Sequence, residues 1–469
     1  MDDSTTAAWA EQQFAAVNLR HRRRTRRLVS SAAAIAARPE QSFNQIFNWN
    51  DLRAFYNLCD QQAATLPTIQ GHHWELTRQA MARHALVLIL HDTSDLDFTN
   101  HPALQGTGPI GDGRGRGFLQ HNSLAVLPEP RQVLGLAYQQ LRVRVEAPAG
   151  EHTQKRKRRR RESELWTDGI TASGRPPQGC QWVDVGDRGS DIYEAMVAAG
   201  QVGHDFLFRV VQNRQVWTTA TYAQDREPLR GLRDFACSLA SQGSDTVAIP
   251  GRGGRAARTA TVQMAAAPVW IPAPQGTPQR RSQPVIAAWV IRVWEEAPPP
   301  GVEALEWILV CSVATQTLEE LKARRDWYSC RWMVEVFHHI EKNGCKEEAR
   351  RFETAERMEA CLAILSVVAV RVFQLRTALA AQPEAPAEQV ATAEEIEVVR
   401  ALQKHSAASL KVREFVRGVA QLGGFLGRKG DGEPGVLTLW RGYQRLQDLV
   451  QGYQLQHSGN SGRRVSGNR

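Results

Sequence analysis

The sequence predicts an α/β fold with helical segments at both ends, and three patterns carry that expectation. Short apolar runs closed by acids recur in the first half: ALVLIL (85–90) before HDTSD, and CQWVDVGD (180–187) before the helical DIYEAMVAAG. Runs of this length read as strands buried on both faces of a sheet. Helical periodicity dominates the two ends, and between about Trp217 and Gly301 the composition shifts to Thr, Gln, Pro, Gly and Arg.

In chain order, residues 1–75 read as helical and Arg-rich, through LVSSAAAIAA and FNQIFNWNDLRAFYNL. Residues 76–216 hold the first part of the α/β core, with GFLQHNSLAVL, QVLGLAYQQLRVRV and DFLFRVV as further strands. Residues 217–301 form a β-rich insertion with runs such as TATVQM and VIAAWVIRVW, bounded by APPPG. EWILVCSV restores the core in 302–378, followed by a helical block, and a Pro/Ala linker opens the C-terminal helical part, 379–457. There Leu439, Tyr443, Leu446 and Val450 share a helix face suited to core or self-association. The tail, 458–469, reads as disordered.

At about 150 residues per domain, 469 residues imply two to four domains or one large core with insertions. The net charge of +9 is concentrated in RHRRRTRR (Arg20–Arg27) and in the unbroken basic run Lys155–Arg161, which favours a polyanionic partner or a solvated basic loop. Seven widely spaced cysteines without a C-x-x-C pair argue against a structural zinc site or a disulfide framework and fit a reducing cytosol. The N-terminus lacks an apolar signal core, and no stretch reads as the ~18 apolar residues of a membrane span. A soluble intracellular protein is expected.

Three acids stand out by context: Asp92 after the first buried strand, Asp187 at the end of QWVDVGD, and Glu335 in DWYSCRWMVEVFHHIEKNG. If that last stretch is one helix, Tyr328, Arg331, Glu335 and Lys342 fall within an arc of roughly 60°. One acid is then flanked by three groups able to hold phosphate oxygens, although an ion-pair stripe on a surface helix has the same spacing. Neighbouring strands would bring the aspartates together. Three hard oxygen ligands suit Mg2+ or Mn2+, and two such ions serve in-line displacement at phosphorus. Each aspartate has rivals: Asp95 and Asp97 in the first segment, Asp184 and Asp191 in the second, with Asp191 read as a helix cap or first-turn acid. GTGPIG contains a Pro and precedes a Gly/Arg loop, so a dinucleotide site is discounted, and the His72-His73 and His338-His339 pairs lack zinc-site partners.

The block Y-x2-R-x3-E-x6-K (Tyr328, Arg331, Glu335, Lys342), followed by AERMEACLAILSVVAVRVFQLR, resembles the DDE cut-and-paste transposases of bacterial insertion sequences, in particular insertion-sequence family four with the YREK signature. HDTSDLDF, DVGDRGSDIYE and LGGFLGRKGDGEPGVLTLWRG are similar to that family's first-acid, second-acid and C-terminal regions. The resemblance implies a ribonuclease H-like catalytic core interrupted by the β-rich insertion. By motif it assigns Asp92, Asp187 and Glu335 as catalytic, metal-binding residues for two Mg2+ ions, with Mn2+ as a substitute. It further implies that Tyr328, Arg331 and Lys342 grip a phosphate near the cut and that Trp307 stacks on a flipped base. Arg23, Arg24 and Arg27 would contact the terminal inverted repeats, and Arg209 and Arg214 the DNA backbone. His339 stands where relatives carry a second Lys, and Leu165 precedes Trp166 where a Lys-Trp pair is expected.

The implied activity is DNA transposition: binding terminal inverted repeats, excision through hydrolysis and a hairpin, and joining of 3′ ends to target DNA. The implied assembly is a homodimer on double-stranded DNA in a bacterial cytoplasm, with no membrane partner, joined through the C-terminal helices. Two alternatives share the sequence features: a structure-selective metal-dependent nuclease without strand transfer, and a non-cutting DNA-binding inhibitor of transposition.

Overall fold

The computed structural model describes residues 3–145, 161–221, 227–249, 257–277, 279–403, 409–428 and 433–461. The basic run 155–161 lies outside them except for Arg161, as does 462–469 of the tail. One mixed sheet of ten strands organises the chain. Its first half comprises β1 (Leu86–Asp97), β2 (Gly108–Ile110), β3 (Gly115–Leu127), β4 (Gln132–Arg142), β5 (Gln181–Gly186) and β6 (Asp205–Arg209). β1, β3 and β4 form an antiparallel meander, and β5 and β6 continue from β1 in parallel. The parallel crossover to β6 carries the helix Tyr193–Val202, as such connections require.

β1 is longer than its apolar run. The expected strand ends at Leu90, but antiparallel pairing with β3 holds from Leu88↔Val126 to Asp97↔Gly117. Asp92, Asp95 and Asp97 therefore stand within a strand and not in a turn. Cross-strand hydrogen bonding outlasts the hydrophobic signal, which marks only the part of the strand covered on both faces.

The β-rich insertion is no separate module. After the two-stranded ribbon β7 (Gln215–Val216) and β8 (Arg230–Gly231), the strands β9 (Gly243–Ile249), β10 (Arg258–Pro272), β11 (Val285–Trp294) and β12 (Glu306–Cys311) extend the central sheet. The order runs β6-β12-β11-β10-β9, so β12 joins the two halves through Leu309↔Arg209 to Cys311↔Leu207. The APPPG boundary is a long hairpin connection between paired strands β11 and β12.

Helices cover the sheet at both ends of the chain. Five N-terminal helices, Asp3–Phe14, Arg22–Ala37, Phe43–Ile46, Trp49–Cys59 and Leu66–Met81, share one apolar core with the sheet. Leu66–Met81 crosses the boundary expected at residue 75. Docking is fixed by an aromatic cluster in which Phe43 meets Phe55 at 4.9 Å and Phe352 at 6.4 Å. Buried Arg350 stacks over Phe43 and donates to the carbonyls of Pro39, Gln41 and Cys345.

The helix Ala355–Ala381 is the central core helix. By length and composition Ala355–Ala378 could cross a membrane, contrary to the expectation that no stretch would, but 83% of its most apolar window is buried inside this protein. Each fully buried Leu, Ile or Val there contributes ~1.5–3 kcal/mol. Beyond it, the helices Ala393–Gln403, Val412–Leu422 and Val436–Ser461 enclose a smaller core. Leu439, Tyr443, Leu446 and Val450 are all buried in it, so that face serves intramolecular packing. The last helix runs to Ser461, past the start of the tail expected at residue 458.

Candidate active site

Two parallel strands part company where the first two acids stand. β1 and β5 pair from Leu86↔Gln181 to His91↔Gly186, and the next residues are Asp92 and Asp187. From there β1 continues beside β3 while the other chain turns away. Gly186 permits that turn: a Cβ on it would come within 2.5 Å of Ser190 and 2.9 Å of Trp166. Asp187 then caps the turn Arg188–Ser190, accepting from the Gly189 N–H at 2.8 Å. Asp92 accepts from its neighbour Thr93 N–H at 2.9 Å.

The third acid arrives on a helix that is not one helix. Leu318–Ser329 ends, the chain tightens through Cys330 and Arg331 with hydrogen bonds three residues apart, and Trp332–His339 follows. Ile340–Gly344 then widens into a π turn, closed by Cys345 N–H to the Ile340 carbonyl at 2.8 Å. The two distortions change the phase expected for a single helix. Tyr328, Arg331 and Glu335 stay with the acids, whereas Lys342 reaches across to β1, donating to the Asp95 carbonyl at 2.5 Å, and lies 3.5 Å from Glu348.

Trp332–His339 packs against β1. Arg331 Nη2 meets Glu335 Oε1 at 2.6 Å, and its Nη1 lies 3.9 Å from Asp92 Oδ2. Burial, and then the charge of Asp187, push the Asp92 carboxyl up to about 7, against the pull of Arg331; Glu335 adds to the rise. Asp92 is thus the point where the negative charges of Asp187 and Glu335 are felt together. His338 Nδ1 lies 4.0 Å from Asp92 Oδ2, and burial holds its imidazole down to about 3, so it faces the acids uncharged. Among the described residues, no three His, Cys, Asp or Glu side chains are gathered closely enough to hold a metal ion. The guanidinium between Asp92 and Glu335 accounts for that spacing. The donor set itself, carboxylate oxygens from Asp92, Asp187 and Glu335, has the chemistry of a hard divalent-cation site.

Beside the acids opens a cleft of about 1760 Å3 whose wall includes Arg209, Trp307, Tyr328, Arg331, Glu335 and His339. Trp307, on β12, meets the Tyr328 ring edge-on at 5.1 Å. The Tyr328 hydroxyl is buried beside the Arg209 guanidinium. Burial raises its pKa, and the neighbouring Arg331 and Arg209 draw it part of the way back. His339 is held by its own helix, its Nδ1 accepting from Asn343 at 3.0 Å.

Other sequence-derived candidates fall elsewhere. Arg214 is spent inside the protein, paired with Asp191, which also accepts from the N–H groups of Val211 and Gln212. Asp191 is therefore the anchor of a loop, not the cap of the following helix, whose N-cap is Ile192. Arg23 and Arg24 lie in the first turn of Arg22–Ala37, a turn that carries no acid and whose Arg23 N–H is capped by His21. Arg27 pairs with Asp51 at 2.5 Å. Asp95 accepts from Gly111 N–H and Asp97 from Thr99, both local structural roles.

Asp184, the rival of Asp187, is completely buried between two histidines. Its oxygens accept from His91 Nε2 and His204 Nδ1, each at 2.9 Å, and His91 Nδ1 accepts from Ser123 at 3.0 Å. His204 Nε2 faces the Gly174 carbonyl at 3.1 Å, so both its nitrogens donate and it is an imidazolium. Ser123, His91 and Asp184 copy the order of a nucleophilic triad, but all three are inaccessible. They pin β1, β3 and β5 behind Asp92 and Asp187.

A second buried network, invisible in the sequence, lies under the π turn. Glu341 accepts from Gln120 and Gln139 at 3.2 Å and from Asn122 at 3.1 Å; Asn122 stands directly across from Asp92. Ser366 joins this carboxyl to buried Glu347. Burial, above the help of those donors, pushes Glu341 up to about 8, and burial with the Glu341 charge raises Glu347 further. Because the folded pKa of Glu341 exceeds its unfolded value, this stability is complete below pH 4.5 and lost as pH rises through about 8. The melting temperature is expected to fall over that window, and Glu347→Gln, which removes the neighbouring charge, should flatten the fall. Melts of the two proteins that decline in parallel would contradict this assignment.

Two family matches bracket this site. Residues 6–64 match the family described as transposase DNA-binding, and residues 367–462 match the Tn5 transposase dimerisation domain. Both ends of the chain are thus similar to transposase domains. All three acids lie in the stretch between the two matches. Among solved structures, a cryo-EM synaptic complex of piggyBac transposase with hairpin DNA overlays with a TM-score of 0.37 at 8% identity, covering 80% of this chain and 75% of that one. No residue correspondence follows from so loose an overlay.

Proposed function

We propose that the protein is a cut-and-paste DNA transposase of the YREK type, and that Asp92, Asp187 and Glu335 form its metal-dependent catalytic centre. The observation that carries the reading is the meeting of the aspartates where β1 and β5 separate, linked to Glu335 through Arg331. The meander and parallel strands that carry the two acids support a ribonuclease H-like core. A pair of Mg2+ ions, or Mn2+, bound by the three carboxylates would activate the attacking hydroxyl and stabilise the leaving oxygen.

The chain's own residues do the rest. Arg331, freed from the carboxylates when cations neutralise them, is in position to take a backbone phosphate bidentately. Tyr328 supplies a hydroxyl beside it, and Trp307 offers an aromatic face to an unpaired base. Lys342 keeps β1 attached to the π turn in the free protein and is available to a phosphate only by leaving the Asp95 carbonyl.

The protein would act in the cytoplasm as a homodimer on two inverted-repeat ends, its C-terminal matched domain pairing the copies. Arg23 and Arg24 would hold the repeats: replacing either by Ala is expected to weaken binding to end-containing DNA and lower the salt slope by about 1, with cleavage of saturated complexes unchanged. Incubating the purified protein with end-containing DNA and Mg2+ should yield hairpinned and joined products. Free ends alone would indicate a nuclease, and binding without any cleavage a non-cutting inhibitor.

A further inference from the structure

Behind Trp307 lies a second cavity of about 350 Å3, lined by three arginines, Arg188, Arg209 and Arg233, together with the 303–308 stretch. The three come from unrelated places: Arg188 from the turn after Asp187, Arg209 from the end of β6, and Arg233 from the helix Leu232–Ser238. None has a carboxylate partner among the described residues. Arg209 donates to the Glu306 carbonyl at 3.2 Å and Arg233 approaches the Val211 carbonyl at 3.5 Å, neutral contacts that leave their charges uncompensated. Of the two acids in the lining, Glu306 is already engaged by Arg292 at 2.8 and 3.1 Å, leaving Glu303 against three cations. Nearby arginines in this protein do find acids: Arg214 has Asp191, Arg258 has Glu295 and Arg325 has Asp245. An unpaired triplet converging on one cavity repels itself and favours an anion that bridges it.

Arg209 and Trp307 line this cavity and the main cleft alike, so the two spaces adjoin around the indole. We infer that the cavity is a phosphate subsite, distinct from the one flanking Glu335, which takes the backbone of the same DNA strand whose unpaired base rests on Trp307. This rests on the transposase reading above. A base laid on the aromatic face carries its own backbone phosphates, and the guanidinium forks stand beside that face. Arg188, next to Asp187, ties the subsite to the catalytic centre, whereas Arg233 touches none of the acids and serves as the clean probe.

The test compares wild type with Arg233→Ala and Arg233→Lys on an oligonucleotide duplex with an unpaired terminal nucleotide and on an internal duplex without ends. Melting curves first show that the variants fold. Arg233→Ala should weaken binding to the unpaired-end duplex on the order of tenfold and lower its salt slope by about 1. Arg233→Lys should keep the slope and recover part of the affinity, and the internal duplex should be little affected. Inorganic phosphate at millimolar levels should not protect the folded protein in a thermal shift; protection lost in Arg233→Ala would identify a free-anion site and overturn the strand assignment. Arg233→Ala binding unpaired ends like wild type, in a protein that still cleaves them, would overturn the subsite and leave the transposase reading intact. A wild type that neither binds nor cleaves ends would overturn both.

Discussion

Glu335→Gln is expected to reduce metal-dependent cleavage of end-containing DNA by at least about a thousandfold while the protein stays folded and keeps its DNA affinity. The side chain is part-exposed and its one strong contact is Arg331 at 2.6 Å, so the amide costs little stability. A ligand to a catalytic ion contributes several kcal/mol to the transition state, and each 1.36 kcal/mol is a factor of ten. Losing the charge also frees Arg331 toward Asp92, which should lower the Asp92 pKa from about 7 and weaken the response of the protein to Mg2+. Single-turnover cleavage with saturating protein separates this from a binding defect. Undiminished cleavage and strand transfer by Glu335→Gln would remove Glu335 from the chemistry, and with it the proposed centre.

Asp184→Asn should do the opposite: it should harm the fold far more than a change at Asp187, three residues on. Burial alone would raise the Asp184 carboxyl, but the His204 charge and the hydrogen bonds from His204 and His91 outweigh it and hold the pKa low. Burial lowers and Asp184 raises His204, with a net upward shift. Removing one partner of such a buried pair strands the imidazolium, at a cost of about 3–5 kcal/mol. The sign with pH follows from both groups: the pair is lost as pH falls through the depressed Asp184 pKa, and again as it rises through the raised His204 pKa. Urea unfolding should show a large loss for Asp184→Asn and a small one for Asp187→Asn, which instead loses cleavage. Equal stability of the two variants would refute the structural role given to Asp184.

Much of the fold was legible in residue pattern. The alternation of buried strands with helices and the helical ends correspond to physical signals that act locally, namely apolar run length and helical period. What the pattern missed was decided by partners distant in sequence. β1 extends through Asp97 because β3 pairs with it, a fact no window around HDTSDLD contains. The strands after Trp217 join the main sheet because β12 has a free edge of β6 to meet. The arc of Tyr328, Arg331, Glu335 and Lys342 assumed a regular helix, and a tight turn followed by a π turn divided it.

The candidate site divides the same way. Spacing alone left Asp92 level with Asp95 and Asp97, and Asp187 level with Asp184 and Asp191; resemblance chose among them. The tertiary structure supplies separate reasons: Asp184 is buried between histidines, Asp191 holds Arg214, and Asp92 and Asp187 follow the last paired residues of β1 and β5. Arg188, Arg233 and the Glu341 network had no signal in sequence, since their meaning lies in what surrounds them.

By itself, the sequence determined the chemical inventory: a basic chain with acids at strand ends and a Y-x2-R-x3-E-x6-K block, because composition and short-range period are properties of neighbours along the chain. Only the tertiary structure decided which acids share a field, which arginines remain unpaired and which helix face is core. Electrostatics and burial depend on distance in space, and the sheet sets those distances through pairings between residues as distant in the chain as Leu207 and Cys311.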